Sequence, residues 1–216
     1  MKFTKVLSIF LTLLIVSNFQ SALADVGLEV KGGTMGVGGG LVLGLASHAN
    51  LRLGAQKYEI SADFTEDGLE YKAEFKPDNQ YLLLDLMPFE NGNLRLTVGT
   101  IKNDNEIVAS ATVQSSTNIG GSAISLGRVD SVIGFNSSAS YLGIGWGNAV
   151  RPSKRIGFTV DLGIMNQGSP IARLTVDDPS NTVTQADIDQ EAADLEEELK
   201  DFKMYPVLAL GLTVRF

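Results

Sequence analysis

No cysteine occurs in this chain of 216 residues, and histidine occurs once, as His48. Without cysteine the fold can contain neither a disulfide nor a structural zinc–thiolate site. Beyond the N-terminal region, no stretch reaches the roughly 20 apolar residues that a membrane-spanning helix requires. Disulfide scaffolds, zinc–thiolate domains and helical membrane proteins are therefore excluded as classes. Neither a metal site nor a cofactor is predicted.

The N-terminal residues have the organisation of a secretory signal. Lys2 and Lys5 form a basic region, an apolar run covers residues 6–16, and alanines occupy the two peptidase positions, Ala22 and Ala24. Residues 1–24 are therefore predicted to be a cleaved signal peptide, and residues 25–216 to be one domain. Subtracting the two signal lysines from 17 basic residues leaves 15 against 25 acids, a mature net charge of −10. This charge argues against binding to nucleic acid.

The last residues of the chain alternate strictly between apolar and small or polar side chains. Such a period of two is typical of a strand whose two faces meet different environments. The apolar positions, which end on a terminal aromatic residue, are Leu208, Leu210, Leu212, Val214 and Phe216.

The same alternation recurs along the chain. It predicts strands at 35–46, 51–62, 70–87, 94–102, 131–147, 156–165 and 204–216. An eighth strand at 26–31 is needed to place both chain ends on the same side, with a turn at Gly32-Gly33. In a soluble sandwich the face opposite the apolar one is solvated and rich in lysine, glutamate and threonine. Here that face is dominated by glycine, as expected for the narrow interior of a barrel whose apolar face contacts lipid.

The terminal strand resembles the C-terminal recognition strand of bacterial outer-membrane β-barrel proteins. Over residues 25–216 the pattern is similar to the OmpA membrane domain and OmpW-type proteins. The resemblance implies an all-β fold, an eight-stranded antiparallel transmembrane β-barrel located in the outer membrane. It also implies outer-membrane lipids, lipopolysaccharide and the barrel-assembly machinery as partners, with the apolar residues 208–216 as the assembly signal. Short turns would face the periplasm, and the long connections 63–69, 102–130 and 167–203 would face outward. Segments 107–113 and 124–129 are expected to extend strands beyond the membrane.

Ionisable residues on the inward face form a nearly neutral set of three acids and four bases. Charges in a cavity poor in water persist only when they are paired and hydrogen-bonded, so ion pairs across the lumen are expected. One interpretation is a plug of ion pairs that fills the barrel. The other is a gate whose pairs exchange partners to admit ions or small solutes. The set comprises Glu29, Lys31, Arg52, Asp85, Arg95, Asp161 and Arg215.

The last long connection is predicted to contain an acidic helix. Thr184 and Asp187 have the spacing of a capping box. Apolar residues then recur at helical spacing, at Ile188, Ala192, Leu195, Leu199 and Phe202. This stripe requires a partner such as the barrel mouth or the other outer loops. The acidic faces are either solvated or bind divalent cations that bridge to lipopolysaccharide, or a basic partner. Loops 103–130 and 167–203 are therefore the predicted surface for an extracellular ligand.

No catalytic site is predicted. His48 falls in a periplasmic turn, and no serine–histidine pair is apparent. The glycine run 36–40 lacks the Gly-Lys-Ser/Thr ending of a phosphate-binding loop. The favoured function is a non-enzymatic structural or surface-interaction role in the outer membrane. The alternatives are a small diffusion channel and, third, a lipid-modifying enzyme.

Overall fold

The computed structural model describes residues 25–66, 69–89, 92–113, 117–119, 122–124, 127–150, 155–178 and 183–216. The predicted signal peptide, residues 1–24, lies outside this range. Within the described residues, no helix is long and apolar enough to span a membrane.

Eight antiparallel strands form a closed barrel, as predicted from the alternation. They are β1 (Val26–Gly33), β2 (Gly36–Ala46), β3 (Ala49–Lys57), β6 (Asp78–Leu86), β7 (Leu94–Asn103), β12 (Ser138–Trp146), β13 (Ile156–Asn166) and β15 (Met204–Arg215). Barrel strands that follow one another along the chain pair with each other, and β15 closes the barrel by pairing with both β1 and β13. The 26–31 segment is a full barrel strand, paired on both sides. The prediction of a turn at Gly32-Gly33 was wrong: both glycines pair with β15 and with β2, and the turn lies at Thr34-Met35.

A second, five-stranded antiparallel sheet continues the barrel at its long-loop end. Its strands are β4 (Ile60–Glu66), β5 (Leu69–Lys76), β8 (Glu106–Val113), β11 (Arg128–Gly134) and β14 (Ile171–Asp177). Each of these strands is next in the chain to one barrel strand. The order of the five strands in their sheet, β14-β11-β8-β5-β4, matches the order of those partners in the barrel, β13-β12-β7-β6-β3. Five of the eight barrel strands therefore extend past the rim, while β15, β1 and β2 end there. A small hairpin of β9 (Thr117–Ile119) and β10 (Ser122–Ile124) lies within the 103–130 connection.

Three predicted strands, 51–62, 70–87 and 131–147, are each interrupted at the rim, so the prediction of one strand in each was wrong. The breaks lie at 58–59, at Pro77 and at 135–137. Pro77 has no N–H for the strand ladder, and its carbonyl instead accepts a hydrogen bond from Tyr58 N, 3.0 Å away. Each break separates a barrel strand from a strand of the five-stranded sheet, so that the two sheets can diverge.

The predicted helix forms in the last long connection, as α1 (Gln185–Glu198), followed by a 3-10 helix, Lys200–Lys203. Thr184 and Asp187 form the predicted capping box reciprocally. The stripe residues Ile188, Ala192, Leu195 and Leu199 are half-buried, whereas Phe202 is exposed. Phe202 leaves the stripe because the chain has changed to 3-10 geometry before it, which shifts the angular spacing of the side chains.

Candidate functional site

Arg52 lies at the centre of the lumen and is completely buried. Its Nη1 and Nη2 donate to Asp161 Oδ2 and Oδ1, each at 3.0 Å. Nη2 also donates to Asp85 Oδ1 at 3.0 Å, and Nε lies 2.8 Å from Asp85 Oδ2. The planar guanidinium thus pairs with two carboxylates at once, a geometry that lysine cannot provide.

Arg95 completes a ring with the same two carboxylates. Its Nη2 donates to Asp161 Oδ1 at 2.5 Å, and its Nε lies 3.5 Å from Asp85 Oδ1. Nη1 donates to the carbonyl of Gly147 at 2.9 Å, and Thr97 Oγ1 donates to Asp85 Oδ1 at 2.8 Å. Two arginines and two aspartates therefore alternate around the lumen, and their charges cancel.

Glu29 and Lys31 add a second balanced pair beside this ring. Glu29 Oε1 lies 3.6 Å from Arg52 Nη1 and accepts from Thr159 Oγ1 at 3.3 Å. Lys31 Nζ lies 3.8 Å from Asp161 Oδ2 and 4.6 Å from the centre of the Tyr81 ring, a cation–π contact. We call these six residues the lumen network; it contains three acids and three bases, all buried.

Arg215, which shares the inward parity of these residues, lies at the barrel rim in an ion pair with Asp25. Both side chains keep about 21% of their surface exposed. Since β15 ends at Arg215, this side chain lies at the rim on the side of the short turns, outside the six-residue network.

The lumen is also filled on both sides of the network. Toward the five-stranded sheet lies a buried apolar cluster: Met35, Tyr81, Leu83, Ile101, Ala139, Tyr141, Met165 and Val207. At the opposite end, Val42, Ala149 and Val150 form a second cluster. Asn50 Nδ2 donates to Asn148 Oδ1 at 3.1 Å, which holds the β12–β13 turn against the barrel. The network is therefore sealed between apolar layers.

A layer of buried amides closes the rim next to the five-stranded sheet. Asn105 Oδ1 accepts from Asp78 N at 3.1 Å and from Asn79 Nδ2 at 2.8 Å. Gln167 Nε2 donates to Phe202 O at 2.9 Å, and Gln56 Nε2 donates to Gly36 O, also at 2.9 Å. Reasoning from the sequence missed this layer because inward parity was applied only to ionisable residues. Applied to asparagine and glutamine, the same parity would have included Gln56 and Asn79.

Inward glycines make room for two tyrosines. A Cβ on Gly143 or Gly163 would clash with the hydroxyl of Tyr141, and one on Gly40 or Gly54 with that of Tyr81. The glycine-rich inward face therefore does not leave an open lumen, because large side chains from neighbouring strands occupy the space.

The five-stranded sheet has two unlike faces. One face, which we call the apolar face, is lined mainly by alanine and larger aliphatic side chains, and Phe75 from it contacts Tyr205 at the barrel rim, with ring centroids 6.3 Å apart. Helix α1 lies on this face, over β14. Glu196 Oε1 accepts from Ala172 N on the edge strand at 2.9 Å, and so ties the helix to the sheet. On β5, β8, β11 and β14 the residues of the apolar face are Tyr71, Ala73, Phe75, Ile107, Ala109, Ala111, Val129, Ser131, Ile133, Ala172, Leu174 and Val176.

Four of the predicted assembly-signal residues lie on the outer face of β15, the strand that closes the barrel, and the fifth, Phe216, directly follows its end. Leu208, Leu210, Leu212, Val214 and Phe216 are exposed there. His48 is exposed in the turn between β2 and β3.

Comparison with known proteins identifies fold neighbours. No family model matches the chain, and no curated protein matches it. Among solved structures, Acinetobacter baumannii CarO superposes with a TM-score of 0.61 at 20% identity, covering 90% of this chain and 99% of CarO. CarO2 of the same organism gives 0.61 at 21%, covering 89% and 98%. A major outer membrane protein from Thermus thermophilus gives 0.42 at 14%, covering 89% and 100%, too low a score to bear on the fold. The CarO structures share the fold of this chain.

Proposed function

We propose that this protein is an integral outer-membrane β-barrel with a closed lumen, and that it displays the five-stranded sheet and α1 as an extracellular interaction surface. The observation that carries the proposal is the inside-out distribution of its side chains. The six charges of the lumen network are buried, while large apolar residues around the barrel are about half exposed, among them Leu142, Ile144, Phe158, Leu162 and Leu210. Only an apolar surrounding makes that arrangement favourable.

The side chains at the two rims of the barrel also fit a membrane around it. Trp146, Phe158 and Phe216 are exposed at the end with short turns, where an aromatic girdle meets the membrane interface. The charged face of the five-stranded sheet, with Lys72, Glu74 and Arg173, lies beyond the opposite rim and belongs in water. The exposed apolar row of β15 supports a role as the signal for the barrel-assembly machinery.

A closed lumen favours an anchor and display function over a channel. Two arginines with no exposed surface are paired with aspartates across the lumen, and apolar clusters lie on either side of these ion pairs. Opening a path for solutes would separate buried opposite charges, which is strongly unfavourable.

Two measurements test the proposal. Purified full-length protein should run anomalously on a denaturing gel when unboiled and shift on heating, as closed barrels do. In planar bilayers it should give no reproducible single-channel steps, whereas Asp161→Ala, which removes a partner of both arginines, should give occasional leak events. Regular wild-type steps that change in Arg95→Ala or Asp161→Ala would establish the channel instead.

The proposal includes the absence of enzymatic activity. The composition of lipid A should therefore stay unchanged when the protein is overexpressed. A changed acyl pattern that is lost in His48→Ala would show a lipid-modifying enzyme.

Loops 103–130 and 167–203 supply most of the proposed surface, through β8, β11, β14 and α1. The exposed carboxylates of α1 suit divalent cations that bridge to lipopolysaccharide, or a basic partner. Deleting residues 184–203 should reduce binding to lipopolysaccharide or to cells while the heat shift on gels remains.

A further inference from the structure

A cleft of about 410 Å³ separates α1 from the apolar face of the five-stranded sheet. Its floor is formed by residues of β5, β8, β11 and β14, including Ala111, Ser131 and Leu174. Its other wall is the inner side of α1, with Ile188, Glu191 and Leu195. This volume and this largely apolar lining are typical of sites for small organic molecules.

The cleft exists because the sheet presents small side chains where the helix presents large ones. Ala109, Ala111 and Ser131 lie side by side in the sheet register. Opposite them, Ile188 and Leu195 are only half-buried, and α1 has no fully buried residue. Protein interiors are ordinarily packed to close contact, so an apolar gap of this size is unusual.

Polar contacts at the ends of the last connection hold the helix at this distance. Val183 N donates to Asp178 Oδ2 at 2.7 Å beside the start of α1. Glu196 Oε1 accepts from Ala172 N at 2.9 Å near its end, and Gln167 Nε2 donates to Phe202 O at 2.9 Å. Hydrogen bonds, rather than packing across the gap, therefore set the position of α1, and the cleft is preformed.

The charge of the cleft is negative. Asp187 and Glu191 line it, and none of the described residues that line it is basic. The Asp187 carboxylate is engaged by Thr184, whose N and Oγ1 donate to Oδ2 at 2.9 and 2.6 Å. Within the described part of the chain, Glu191 takes part in no hydrogen bond or ion pair. A carboxylate beside an apolar cleft is complementary to a cation attached to an apolar body.

We propose that this cleft binds a small apolar molecule that carries one amine. The apolar body lies between Leu174 and the Ile188–Leu195 side of α1, and the ammonium group pairs with Glu191. The inference gives the ligand class of the proposed interaction surface, and it rests on the proposed function only for the placement of the cleft outside the membrane.

The test uses three probes of matched shape and different charge. These are 4-phenylbutylamine, 4-phenylbutan-1-ol and 4-phenylbutyrate, titrated into the full-length protein in phosphatidylcholine nanodiscs. Binding is measured calorimetrically and corrected with empty nanodiscs, because each probe also partitions into lipid. The amine should bind about tenfold more tightly than the alcohol, which is a typical gain for a charge-assisted contact, and the butyrate should bind more weakly than the alcohol.

Variants separate the cleft from the rest of the surface. Glu191→Gln should bring the amine to the affinity of the alcohol. Asp189→Asn, on the opposite side of the same helix and outside the cleft, removes the same charge and should leave both affinities unchanged. Ala111→Phe and Ser131→Leu fill the cleft from the sheet, and either one that keeps the heat shift on gels should bind no probe.

The inference is overturned if the amine shows no preference over the alcohol, or if variants that fill the cleft bind as the wild type does. Both results can occur in a protein that shows the heat shift and sits in the membrane, so they leave the proposed function intact. A chain that shows no heat shift and no membrane insertion contradicts the proposed function, whatever the probes do.

Discussion

Arg52 on β3 reaches across the whole lumen to Asp161 on β13, with two nitrogen–oxygen distances of 3.0 Å. In the closed strand order these two strands are four steps apart in either direction, so the pair spans a diameter of the barrel. Arg95, Asp85, Glu29 and Lys31 are arranged around this pair. A side-chain bridge of this kind links opposite walls in addition to the strand ladder.

Asp161→Asn should be strongly destabilising, because the change leaves Arg52, Arg95 and Lys31 facing only two acids in a buried lumen. Removing one partner of a buried ion pair costs about 3–5 kcal/mol. Urea unfolding of protein inserted in lipid vesicles measures the loss. Asp201→Asn, at an exposed position beyond the end of α1, is the matched control and should change little. A loss below about 1 kcal/mol for Asp161→Asn would mean that the network contributes little to stability.

Gly143→Ala should destabilise the barrel through Tyr141. The new methyl group would clash with the ring end and hydroxyl of Tyr141, and overpacking of this kind costs about 1–3 kcal/mol. In a Tyr141→Leu background the same substitution should cost much less, and the same unfolding assay measures both. Gly134→Ala is the control, since a Cβ there meets nothing within 4 Å. Equal losses in the two backgrounds would show that the backbone, not Tyr141, requires the glycine.

Alternation with a period of two predicted the barrel because it reports which medium each side chain faces. The same rule brought Glu29, Lys31, Arg52, Asp85, Arg95 and Asp161 onto one surface, and their contacts follow from closure. The alternation predicts whether a side chain points into or out of the barrel, but not where along the barrel axis it lies. Arg215 has the same parity as the others yet lies at the rim, because β15 ends there.

The five-stranded sheet could not be separated from the barrel by pattern alone. Strands such as β5 and β11 also alternate, since one of their faces is apolar, so each merged with the barrel strand next to it. The breaks depend on single residues such as Pro77. A proline interrupts the hydrogen-bond ladder only where the neighbouring strand would have accepted from its N–H, and the pairing partner is not evident from the pattern. The cleft could not be predicted from the sequence, because it depends on small residues of two strands, β8 and β11, meeting beneath one helix.

Asn105→Ala should loosen the junction between the barrel and the five-stranded sheet. The substitution leaves the N–H of Asp78 and the amide of Asn79 without their acceptor, at a cost of about 2 kcal/mol. Hydrogen exchange should speed up first in β5 and β8, next to the junction, and not in β15. Ser138→Ala, an exposed polar-to-alanine change at the same rim, is the control. Uniform acceleration over all strands would indicate global rather than local destabilisation.

The cap of α1 should respond to acid through Asp187. Hydrogen bonds from Thr184 to the Asp187 carboxylate lower its pKa below the ordinary aspartate value. Because the folded pKa lies below the unfolded one, the cap is fully stabilising above the ordinary aspartate pKa and is lost as the pH falls through the lowered pKa. Carboxyl chemical shifts should show a low midpoint for Asp187 that rises in Thr184→Ala. An identical midpoint in both proteins would contradict the role of Thr184.

Glu196→Ala should release α1 from the edge of the five-stranded sheet. β14 pairs with β11 on one side only, so its outer edge carries backbone groups that another strand could pair with. Glu196 accepts from Ala172 N on that strand and so occupies one of these groups. Without it, hydrogen exchange should accelerate in α1 and at Ala172, and the protein should associate more readily at high concentration, as measured by light scattering. Glu197→Ala, which removes only the exposed ion pair with Lys200, is the neighbouring control and should leave both observables unchanged. If the two variants behave alike, the loss of helix charge, and not the contact with the edge strand, is responsible.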